Sequence, residues 1–220
     1  MTDHISIEVV DVDGALAETA ERAGVSRADF FRRGAVAGGG LVLGSALLSG
    51  FPTLAAAAKP SAKGDIAILN YALTLEYLEA AFYAEAVKNA GLKGPAAAFA
   101  KQVAAAEKAH VEFLKQALGK KAVKSPKFAF GAATQSQDKF LQTAYVLENA
   151  GVQAYLGQAG NFKNPKFLLA AASILPIEAR HAGAVGQLIN KNISPEGSFE
   201  VGKPMADILK AVKGTGFIQG

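Results

Sequence analysis

Residues 65–89 read DIAILNYALTLEYLEAAFYAEAVKN, and their spacing decides the fold class. Apolar side chains recur in alternating steps of three and four: Ile66, Leu69, Leu73, then Ala80, Tyr83 and Val87. That period puts them on one face of an α-helix. Glu76 falls in the middle of the same seam. A carboxylate on an apolar face must be paired, protonated or bound to a cation, because a bare buried charge is too costly. Glu79 borders the seam one turn further on and is the rival for any role given to Glu76.

Three more segments carry the helical period, at about residues 95–118, 136–161 and 165–190. Breaks rich in Gly, Pro or Asn separate them. The last repeats the seam with Phe167, Ala171, Ile174, Glu178, His181, Val185 and Leu188. Strand-like alternation is scarce. Helices of about 25 residues are about 37 Å long. Four of them pack most economically as an all-α four-helix bundle, with residues 119–135 as a long crossover between the second and third helices. The layout is then an N-terminal region over 1–58, a bundle over 59–192 and an extension over 193–220. The extension has a short helical stretch at 205–212 and either wraps the bundle or carries an interface.

The composition narrows the chemistry. Half of the 220 residues are hydrophobic, which supports a packed core. There is no cysteine, which excludes disulfides, thiolate metal sites and cysteine nucleophiles. Only His4, His110 and His181 supply imidazole. His110 follows Glu107 by three residues and His181 follows Glu178 by three, so each pair shares a helix face. One Glu-x-x-His is a weak signal, but this one is part of a repeat. Glu76 precedes Glu107 by 31 residues and Glu148 precedes Glu178 by 30. Tyr83 and Tyr155 each stand seven residues after Glu76 and Glu148. The chain therefore reads as two helical hairpins of one plan, related by a pseudo-twofold axis.

This pattern resembles the ferritin-like di-iron carboxylate proteins, over about residues 65–190. The resemblance implies a ligand set of Glu76, Glu107, His110, Glu148, Glu178 and His181, with Glu76 and Glu148 terminal or bridging. It implies catalytic-site tyrosines at Tyr83 and Tyr155, hydrogen-bonded across the site. The implied cofactors are two Fe or Mn ions, and Zn can occupy such oxygen-rich sites too. The implied activity is Fe(II) oxidation or peroxide consumption, with O2 or peroxide as partner. Residues 69–83 look most similar to the exported branch of the superfamily, which includes desiccation-related proteins. That branch implies an alternative: a structural or protective bundle in stress, where metal only stabilises. Iron storage in a cage is a third reading and needs a homo-oligomer.

Other residues have blander expectations. Glu85 and Glu112 fall on outer faces, and Tyr71, Tyr77 and Tyr145 read as packing or interface residues. Arg180, the one arginine after residue 58, reads as a surface ion-pair partner. Pro176 interrupts the fourth helix, either as a packing irregularity or as a kink that aims Glu178 and His181.

The N-terminal region has its own logic. Arg32-Arg33 leads into the uncharged, Gly/Ala/Leu-rich stretch 34–58, which ends in four alanines. This is the pattern of an export signal, or of a membrane anchor if it stays uncleaved. Residues 26–34 resemble the twin-arginine (Tat) signal S-R-R-D-F-L-R-R-G, with Ala28 in place of the second arginine. The expected location is the periplasm, cell envelope or medium. Residues 1–58 carry net −3 and the remainder net +7. The run Lys115, Lys120, Lys121, Lys124, Lys127 lacks arginine and has few aromatics. It suits an anionic surface better than nucleic acid.

Overall fold

The computed structural model describes residues 60–219, so the expected export segment lies outside the described residues. The described chain is all-α apart from one small ribbon: α1 (Ala62–Asn89), α2 (Gly94–Leu118), α3 (Gln137–Gln158), α4 (Pro165–Leu188) and α5 (Met205–Gly214). The first four are the expected long helices, with ends shifted by at most a few residues. Local chemistry sets those ends. Ser61 caps α1 by accepting from the Gly64 amide, and Asn164 caps α4 from its side chain with Pro165 just inside. Gly119 ends α2 at φ +55°, a conformation that glycine adopts without strain.

α1 and α2 form one antiparallel hairpin, and α3 and α4 form the other. The crossover from 119 to 136 runs back along α1. Near its start, Asn70 donates to Lys121 O and accepts from the Val123 amide. Near its end, Thr134 donates to Glu85. Asn70 and Glu85 are 15 residues apart on one helix, about 22 Å at the α-helical rise. On the way, Lys127–Phe128 (β1) pairs antiparallel with Ile218–Gln219 (β2). Two residues per strand are too few to show a period of two, so this ribbon was not legible in the sequence.

The tail wraps the bundle. The Lys203 amide donates to Gln153 O, a carbonyl of α3. Gly157 and Gly202 make this approach possible, since a Cβ on Gly157 would stand 2.0 Å from Lys203 O. α5 then buries Ile208 and Val212 in the same apolar cluster as Phe82, Phe130 and Phe140.

Two apolar cores occupy the bundle. One, towards the start of α1, gathers Leu69, Leu73, Leu114, Leu118, Tyr155 and Ile174. The other, towards its end, gathers Leu78, Phe82, Val103, Phe140, Leu147 and Val185. The buried face of α1 is broader than a narrow seam: Tyr71, Leu75, Leu78 and Phe82 are also covered. At its last turn the burial falls on Ala86, and Val87 is 37% exposed, contrary to the sequence reading. Between the two cores lies a polar layer.

Candidate metal centre

That layer is built from the seam carboxylates. Glu76, Glu107, Glu148 and Glu178 are fully buried, one from each long helix. His110 and His181 are nearly so. The six residues singled out by spacing thus meet at one level. Each histidine turns Nδ1 inward. His110 Nδ1 lies 3.1 Å from Glu107 Oε2, 3.2 Å from Glu76 Oε2 and 3.2 Å from Glu178 Oε1. His181 Nδ1 lies 3.0 Å from Glu107 Oε1 and 3.3 Å from Glu148 Oε2.

Donor atoms converge in two overlapping groups. Glu76, Glu107, His110 and Glu178 bring one atom each within 4.8 Å of one another, and so do Glu107, Glu148, Glu178 and His181. Glu107 and Glu178 belong to both. Glu107 Oε1, Glu148 Oε2, both Glu178 oxygens and His181 Nδ1 are buried with no hydrogen-bond partner. Such orphaned groups are rare in folded proteins and call for a missing partner. His181 Nδ1 and Glu107 Oε1 lie 3.0 Å apart without hydrogen-bond alignment, so both atoms face one shared space. Oxygen-rich donors with two imidazoles fit hard to borderline divalent cations.

The tyrosines answer each other across the layer. Tyr83 of α1 donates to Glu148 of α3 at 2.5 Å, and Tyr155 of α3 donates to Glu76 of α1. Burial, then the adjacent carboxylates, push both phenols well above their ordinary value, so they remain donors. Each fixes one oxygen of its glutamate and leaves the other to point inward.

The pseudo-twofold axis breaks at one place. Glu79, three residues after Glu76, is 3% exposed and sits beside the cluster, though it belongs to neither four-residue group. Its counterpart, three residues after Glu148, is Gly151. A Cβ there would stand 2.8 Å from Glu178 Oε2 and 3.6 Å from Glu79 Oε1. The missing side chain makes room for two carboxylates. No spacing rule pointed to Gly151; the only signal was a glycine inside a helical run. Outside the layer, Glu112 and Arg180 are exposed, while Tyr77 and Tyr145 donate to the Val123 and Asn192 carbonyls. α4 continues through Pro176. Pro176 and Ala172, whose carbonyl loses its usual donor, both face solvent, so water can satisfy that oxygen.

A four-helix bundle with a central layer of four carboxylates and two imidazoles has the donor set that a carboxylate-rich metal centre requires. The model of the ferritin-like domain family matches residues 64–191, and the chain belongs to that family. Among solved structures it is similar to a conserved hypothetical protein, rv2844, of Mycobacterium tuberculosis. The match has a TM-score of 0.50 and 14% identity, and covers 64% of this chain and 96% of the other. At that identity the likeness is one of fold. No curated protein matches the chain.

The charge state follows from crowding. Burial first, opposed by the His110 hydrogen bond and reinforced by Glu107, pushes Glu76 up to about 8. Glu79, Glu148 and Glu178 also rise, through burial and through carboxylate neighbours. For Glu107, burial is outweighed by the hydrogen bond with His110 and by the closeness of His181, which bring it down to about 2. Burial opposes charge on His110 and His181 as well, but their carboxylate partners raise them to about 12 and about 10. Groups with raised values keep protons in the folded state that the unfolded chain releases, so they stabilise less as pH rises. That loss begins in the ordinary carboxylate range, runs through about 8 for Glu76 and continues towards the histidine values. Glu107 acts in the opposite sense, losing stabilisation as pH falls towards about 2.

Chelator-treated protein should therefore melt at a higher temperature near pH 5 than near pH 8, and added Mn(II) should erase the difference. A melting temperature that rises over that interval without metal would contradict this charge assignment. Gly151→Ala should keep the helical circular-dichroism signal and weaken Mn(II) binding about tenfold, the usual scale for disturbing a ligand's support. Gly160→Ala, where a Cβ meets nothing within 4 Å, is the control and should bind as the parent does.

Proposed function

We propose that this bundle holds a two-metal centre of iron or manganese and uses it, outside the cytoplasm, to oxidise Fe(II) or consume peroxide. The single observation carrying the proposal is the pair of overlapping donor groups that share Glu107 and Glu178 and contain five buried atoms without a hydrogen-bond partner. Glu76, Glu107, His110 and Glu178 would hold one cation, and Glu107, Glu148, Glu178 and His181 the other. Two redox cations, if bound there, would supply the electrons for reducing O2 or peroxide.

The chain's own residues prepare that chemistry. Cation binding displaces protons from the histidines and raised carboxyls, so loading is favoured by higher pH. Tyr83 and Tyr155 hold Glu148 and Glu76 in fixed orientation and keep two protons beside the reacting space. The apolar clusters on either side exclude bulk water, which strengthens each electrostatic contact within. The uncharged segment 34–58 supports export, with cleavage near Ala58.

The competing protective role predicts metal that only stabilises the fold. Glu107→Ala and His181→Ala separate the two. Under the catalytic reading, parent protein loaded with Fe(II) carries about two metals per chain and turns over O2 or peroxide. Both variants then lose turnover by at least about a hundredfold while still folding without metal. Material recovered from its native compartment begins near residue 59. Well under one metal per chain, or no turnover in loaded parent protein, would overturn the catalytic reading. A mature chain starting at Met1 would overturn cleavage.

A further inference from the structure

The surface charge of the bundle is unevenly placed. α1 starts, α2 ends and the α3–α4 turn lies at one end of the bundle. Lys63, Lys120, Lys121, Lys124, Lys163 and Lys166 stand exposed there, from three separate segments. The acids towards this end are Asp65, Glu112 and, on the tail segment packed against Gln153 and Gly157, Glu196 and Glu200; Glu196 accepts from Gln153. Glu112 is paired with Lys115 at 2.9 Å, and Asp65 is buried. At the other end, the exposed Lys88, Lys93, Lys139 and Lys191 share their surroundings with Glu85 and Asp138.

Two side chains of α1 hold this end together. Asp65 accepts from the Lys163 amide at 2.8 Å and the Asn164 amide at 3.0 Å, clamping the α3–α4 turn to the start of α1. Asn70 accepts from the Val123 amide at 2.8 Å and donates to Lys121 O at 3.0 Å, clamping the crossover. The lysines are thus displayed on fixed backbone, not on a loose run. Val123, between Lys121 and Lys124, is 40% exposed, and Leu169, one turn beyond Lys166, is 69% exposed. Lysines interleaved with exposed aliphatic groups suit the interface of an anionic bilayer. Duplex DNA would favour arginine forks, and none is present at this end.

Among the described residues no helix is long and apolar enough to cross a membrane, so the bundle's own contact is peripheral.

We propose that this lysine-rich end is a docking surface for anionic phospholipid headgroups. The test uses full-length protein and vesicles of phosphatidylcholine with or without phosphatidylglycerol. The parent should bind the anionic vesicles at least about tenfold more tightly, and added salt should abolish the preference. The quadruple variant Lys120→Gln, Lys121→Gln, Lys124→Gln, Lys163→Gln should lose up to about fivefold per lysine. Neutralising Lys88, Lys93, Lys139 and Lys191 in the same way should change binding less than about twofold, since those side chains lie more than a Debye length from the docked surface. Equal binding to both vesicle types, equal losses in both variants, or binding of duplex DNA without binding of anionic vesicles would overturn the proposal.

Discussion

Burying five carboxylates in one cross-section of a helical bundle is the constraint on which the rest of this structure depends. Glu76, Glu79, Glu107, Glu148 and Glu178 lie where leucine would otherwise pack. Their mutual repulsion must be offset by protons, imidazolium or metal cations. Protons do so in part: burial and crowding raise four of the five carboxyls, while Glu107, bonded to His110 and close to His181, falls. Cations would do so more completely, because they also satisfy the buried oxygens that have no hydrogen-bond partner. The apolar clusters above and below hold the helices against this repulsion.

Near-symmetry organises the layer and its breach differentiates it. Reciprocal Tyr83–Glu148 and Tyr155–Glu76 bonds tie the two hairpins together across the axis. A second glutamate opposite Glu79 would add a sixth charge to a crowded space. Gly151 stands there instead, so the side nearest Glu79 carries an extra carboxylate that the other side lacks.

Much of this was legible before any coordinates. The helical period of residues 65–89 exposed Glu76 as a misfit, and the two Glu-x-x-His pairs with their tyrosines seven residues after a glutamate marked the other members. Those signals survive because side chains that meet at one point must project from one helix face, which fixes their spacing. Glu79 was harder to place, since it borders the seam and only the width of the buried face decides its burial. Gly151 was illegible, because its role is to be absent from a space defined by another helix. The tail's grip on α3, the short β1–β2 ribbon and the lysine-rich end all depend on segments distant in sequence. No local period encodes such meetings; the Asp65 and Asn70 side chains and the Gln153 carbonyl fasten the turn, the crossover and the tail to the helices.

X-ray diffraction from crystals of the Mn(II)-loaded protein, measured at the manganese edge, tests the two-cation layer most directly. Two anomalous peaks are expected. One should lie among Glu76, Glu107, His110 and Glu178, and the other among Glu107, Glu148, Glu178 and His181. A bundle with no anomalous peak in this layer, its carboxylates and imidazoles paired only with each other, would contradict it.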